Sequence, residues 1–192
     1  MSLRFFDFKA LLNLVNVPHP TLKRMSVYTP TGSDLDSTTL AGAFVEVVRK
    51  LNEAEKTRNA ANSSQAPKNN VAMSANFDTN SYDIAVTLPI SESANTSGGI
   101  VSVPTDYLGG SYSAFVPGTG TAKSTTLQGA TLEIAQKLSA AELAVTPETD
   151  RPTNIQVDIS LETRIATITA QIPFTPSFGS AGEITLTALD YV

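Results

Sequence analysis

Apolar residues change their period along this chain in an order that is then repeated. Leu40, Phe44, Val47, Leu51 and Ala54 recur at spacings of three and four, the period of one helix face. Val71, Met73, Ala75 and Phe77 alternate with mostly polar residues, the period of a half-buried strand. After the polar turn Asp78-Thr79-Asn80, alternation resumes with Ile84, Val86, Leu88 and Ile90, so the two runs predict a hairpin. A loop rich in Ser, Gly and Asn then leads to a third strand around 100–107.

The same succession begins again 87 residues later. Residues 37–55 align without a gap on 124–142, with more than half of the positions identical. Beyond a loop three residues shorter, the register resumes at an offset of 84. The second helical stripe is Leu127, Ile134, Leu138 and Ala141, with Thr131 in the place of Phe44. The second hairpin joins Ile155, Val157, Ile159 and Leu161 to Ile168, Ala170, Ile172 and Phe174 through Glu162-Thr163-Arg164. Asp106-Tyr107-Leu108 falls opposite Asp190-Tyr191-Val192, closing a third strand around 184–191.

Ser37 and Ser124 carry hydroxyls that can cap a first helical turn, so the helices are predicted to start there. Pro89 and Pro173 are expected near the ends of the second strands, where a missing amide is tolerated. Short strands are also expected at Ser26–Thr29 and Ser111–Val116. The predicted class is α+β. It is a tandem duplication of a unit with one helix packed on an antiparallel three- to four-stranded β-meander, the two units pseudo-symmetric. The predicted organisation is an N-terminal apolar arm at 1–25, repeat 1 at 26–108 and repeat 2 at 109–192.

Composition changes this picture in one respect. Charged residues are 16% of the chain, against roughly 25% in typical soluble domains. A charge-poor surface is cheaper to bury against another subunit. The net charge of −5 gives no general attraction to nucleic acid or to an anionic membrane. The absence of cysteine removes disulfides, thiolate metal sites and cysteine nucleophiles. The arm is interrupted by Arg4, Asp7 and Lys9, which fits neither a signal peptide nor a membrane span. Its apolar residues Phe5, Phe6, Phe8, Leu11, Leu12 and Val15 are the candidate oligomer interface, packing on their own domain or clasping a neighbour.

Candidate chemistry is sparse. His19 is the single histidine and lies between Pro18 and Pro20. Residues 118–125 imitate a phosphate-binding loop, but Ala122 and Pro117 stand where that loop needs glycine. Three acidic pairs recur between the repeats: Glu46 with Glu133, Glu55 with Glu142, and Asp106 with Asp190. They are spread over different elements and lack calcium-loop spacing. Arg49, Lys50, Lys56 and Arg58 make only the first helix basic, which argues against a ring around nucleic acid. No catalytic residue, metal or cofactor is assigned, and no enzyme activity is expected.

The expected function is therefore structural: a subunit of a symmetric homo-oligomer, a trimer or a ring. In overall character the composition and arm resemble tailed-phage virion components, such as a capsid cement or decoration protein or a tail or baseplate subunit, though no diagnostic motif carries the resemblance. It implies other virion proteins as partners and a location in the virion, or in host cytoplasm during assembly. The alternatives are a bacterial cell-surface or extracellular filament subunit, and a small-ligand-binding module with its site between the repeats.

Overall fold

Each helix begins at a threonine. In the computed structural model, which describes residues 27–94, 100–119, 121–180 and 182–192, Thr39 caps helix α1 (Leu40–Ala61). Its hydroxyl accepts from the Gly42 N–H at 3.1 Å. Thr126 caps helix α2 (Leu127–Leu143) through the Gly129 N–H, also at 3.1 Å. The expected capping serines lie one step further out: the hydroxyls of Ser37 and Ser124 accept from the amides of Thr39 and Thr126 and so hold the caps in place. Gly42 and Gly129 follow from this arrangement, because a Cβ at either position would collide with the hydroxyl of Ser37 or Ser124. The helices therefore start later than predicted, and both do so by the same device.

Six strands form one open antiparallel sheet: β1 (Val71–Asn76), β2 (Ser81–Ala94), β3 (Ile100–Pro104), β4 (Ile155–Ser160), β5 (Ile165–Phe178) and β6 (Ile184–Ala188). The order is β1-β2-β5-β4, with β3 also pairing β2 and β6 also pairing β5. β2 and β5 run through Pro89 and Pro173 instead of ending there. β1 pairs with β2 as far as Val86 and β3 takes over at Ile90, so Pro89 lies in the gap between two partners. Its missing N–H interrupts no ladder there. Pro173 occupies the same kind of junction, between Ala170, where pairing with β4 stops, and Phe174, which pairs with Ala188 at the end of β6.

The short strands expected before the helices are single bridges, Val27 to Thr39 and Ala114 to Thr126. Residues Gly110–Tyr112 form a 3-10 turn. The third strands also stop early, at Pro104 and Ala188, which leaves Tyr107 and Tyr191 beyond the sheet.

Both helices lie on one face of the sheet. Ile84, Val86, Leu88 and Ile90 of β2 and Ile168, Ala170, Ile172 and Phe174 of β5 point into that layer and are buried, as their alternation predicted. The helices bury more than one stripe, since Ala43, Val48, Ala130 and Ala135 join Phe44, Leu51, Ile134 and Leu138 in the core. The cause is that α1 and α2 pack on each other as well as on the sheet. β6 touches α1 and β3 touches α2, so residues on both sides of the predicted boundary at 108/109 share one core.

Replacing Gly129 by alanine normally favours a helix. Here Gly129→Ala is expected to lower unfolding stability by about 1–3 kcal/mol through the clash with Ser124. Urea denaturation checks this, and an unchanged or raised midpoint would contradict the close approach.

Candidate interaction surface

Most of the acidic residues that recur in the sequence, Glu46, Glu55, Asp106, Glu133 and Glu142, are used to build the fold. Glu133 accepts from the amides of Lys123 and Ser124 at 2.8 and 3.1 Å, so the amides at the end of the phosphate-loop imitation are already occupied by a carboxylate. Glu46 takes the amides of Asp36 and Ser37 in the same way. Asp106 accepts from the Gly109 amide and from the Gln128 side chain. Burial raises the pKa of Asp106, but these and neighbouring donors outweigh it and the net shift is downward. Arg58 is buried at the end of α1, donating to the carbonyl of Ala66 and the side chain of Gln65. Among the described residues no group of three or more His, Asp or Glu could hold a metal ion. His19 lies outside the described residues.

Glu55 and Glu142 are buried and each ties a helix to the strand that follows it. Glu55 accepts from the amides of Asn70 and Val71 at 3.1 and 3.2 Å, and the Tyr107 hydroxyl donates to it at 2.6 Å. Glu142 accepts from Asn154 and Ile155. Burial pushes the Glu142 carboxyl up, and these amides pull it back in part. The Tyr191 hydroxyl is buried beside Glu142 but off hydrogen-bonding geometry. Burial, together with the adjacent carboxylate, raises the pKa of both Tyr107 and Tyr191.

Exposed apolar side chains gather at the two ends of the sheet. A 14-residue strand spans about 46 Å. The 22 and 17 residues of α1 and α2 span about 33 and 26 Å. β5 outruns its helical cover, and its apolar alternation continues to Phe178 where nothing buries it. At one end Phe77 packs edge-on against Phe174, with ring centroids 5.8 Å apart, and is still 56% exposed. Phe178 and Ile184, paired across β5 and β6, are 75% and 52% exposed. At the other end Ile159, Leu161, Val101 and Val103 are exposed. Among the described residues β1 and β4 also have no partner along their outer edges.

The face of the sheet away from the helices carries short side chains such as Ala72, Ser74, Ala85, Thr167 and Thr169. An open groove of about 710 Å³ runs from β1 to the start of β4, lined by sheet residues and also by Asn52 and Lys56 of α1. Its one carboxylate, Asp83, is already bonded by Asn76 and Gln171.

Comparison with protein-family models, with curated proteins and with solved structures returned no match. Phe5, Phe6, Phe8, Leu11, Leu12 and Val15 lie outside the described residues. Phe178 was missed in the sequence because Pro173 was read as lying near a strand end, whereas Val103 and Ile184 fall in the third strands expected around 100–107 and 184–191 but were given no surface role there. The alternation that continues past Pro173, with Phe174, Pro176 and Phe178, was the signal that could have found it. No helix among the described residues is long and apolar enough to cross a membrane.

The tyrosines set an expected alkaline limit. A tyrosine whose folded pKa is raised contributes stability that is complete below its ordinary value of 10.0 and is lost as pH climbs through the folded value. The melting temperature is expected to fall from about pH 10 upward, more steeply in the parent than in Tyr107→Phe. Parallel slopes would contradict the coupling to Glu55.

Proposed function

We propose that this chain is a structural subunit that self-associates into a homo-oligomer, with no catalytic role of its own. The observation that carries this reading is the apolar surface at both ends of one sheet, including a phenylalanine three-quarters exposed. Solvated monomers seldom leave such side chains clustered, because the burial of one is worth roughly 1.5–3 kcal/mol.

The duplication supplies the symmetry. β2 and β5 pair so that Ala85 faces Thr169, 84 residues apart, and every other pair maps onto another pair under the same offset; Ser81 with Pro173 becomes Pro89 with Ile165. That register is the one expected of a pseudo-twofold axis through the centre of the sheet. The loops before the helices support it as well: Val116 N donates to the Asp34 side chain and Thr29 N to the Thr121 side chain, positions related by the offset of 87. A chain with two related ends at opposite sides can join others end to end and close into a trimer or ring.

The particle we favour is a virus or tailed-phage virion, with the chain as a capsid cement or decoration protein or a tail or baseplate subunit beside other structural proteins. Low charge, the lack of cysteine and the apolar arm support that setting.

Native mass spectrometry is expected to show a trimer or ring that Val103→Asp weakens by about tenfold or more. A strict monomer at high concentration would sink the proposal.

A further inference from the structure

The exposed strip at the Phe178 end has a particular shape and charge. Phe77, Phe174, Phe178 and Ile184 lie on the helix-side face of the sheet, and the run from Phe77 through Phe174 to Phe178 is about 19 Å long. Asp78 and Glu183 border it, and residues 173–190 contain no lysine or arginine. The strip is apolar, with these two acids at its border and Arg49 of α1 donating to the hydroxyl of Tyr82, whose ring packs on Phe174.

One segment of the chain matches it. Residues 1–26 carry Arg4, Lys9, Lys23 and Arg24 against the single acid Asp7, a formal charge of +3, whereas residues 27–192 carry −8. Phe5, Phe8, Leu12 and Val15 recur in the sequence at spacings of three and four. The apolarity of residues 5–15 matches the strip, and the net positive charge of residues 1–26 is opposite in sign to that of the rest of the chain. The eleven residues between Val15 and Val27 can span about 36 Å, so the segment has the reach to leave its own domain.

We infer that residues 5–15 of one copy dock on the Phe77, Phe178 and Ile184 strip of a second copy, a contact that rests on the assembly proposed above and gives it a mechanism. The contact is heterologous: each subunit gives an arm and receives one, so the chain of contacts closes into a ring or extends. The absence of cysteine makes a clean test available in the full chain.

Leu12→Cys and Ile184→Cys are made in separate chains, mixed and oxidised. A disulfide-linked mixed dimer is expected, together with none when Thr169→Cys, on the opposite sheet face, replaces Ile184→Cys. Phe178→Ser, placed in the receiving chain, is expected to cut the yield by about tenfold. If the mixture gives no link but a chain carrying both cysteines links within itself, the arm closes on its own domain and the inference is overturned. If neither links while native mass spectrometry still shows the oligomer, the docking is wrong and the assembly reading stands. A strictly monomeric parent would remove the assembly reading and the docking with it.

Discussion

The pairing of β2 with β5 is the interaction on which the rest of this structure depends. Nine register pairs join the two halves of the chain at the middle of the sheet. On the buried side of that seam, Ile84, Val86, Ile168 and Ala170 meet the two helices. Neither half could bury its hairpin alone, since one helix cannot cover a sheet face and the other flank of that helix at once. Joining the sheets lets α1 and α2 pack against each other as well as on the strands, and the third strand of each half reaches the helix of the other. The seam also fixes what is left over. Exposed apolar residues remain at both ends of the sheet, at the end of β5 on one side and on β3, β4 and the turn after β4 on the other.

The polar groups that recur in the sequence serve this frame. Ser37, Thr39, Gly42 and Glu46 together start one helix, and Ser124, Thr126, Gly129 and Glu133 start the other. Glu55 with Tyr107 brings the end of α1, the beginning of β1 and the segment after β3 to one point. Buried carboxylates are costly unless every lone pair is answered, and here backbone amides and a phenol answer them. A set of acidic residues that might have suggested catalysis or a cation is accounted for by strand and helix termini. Exposed apolar side chains remain at the ends of the sheet, and the N-terminal sequence is cationic on an otherwise acidic chain.

Much of the fold was legible because period reports burial. The alternation in β2 and β5 and the helical stripes named the core residues correctly, and the mixed α+β class follows from them. The errors share one cause: local rules were applied where a neighbour decides the outcome. Pro89 and Pro173 look like strand ends until two successive partners are seen to share one edge of the strand and to leave a gap at the proline. Ser37 looks like a cap until Thr39 takes that place and Ser37 supports it. The exposed strip at Phe178 was hidden for a similar reason, because alternation predicts which face a side chain takes but not whether a helix is long enough to cover it.

Native-state hydrogen exchange tests most directly whether the two halves form one cooperative body through the β2 and β5 seam. The amides of Ile84 and Val86 in one half and of Ile168 and Ala170 in the other should open with one shared free energy, and the interior amides of α1 and α2 should exchange with them. If one half exchanged at a clearly lower free energy while the other stayed protected, the halves would be separate units and the seam would not be what holds this fold together.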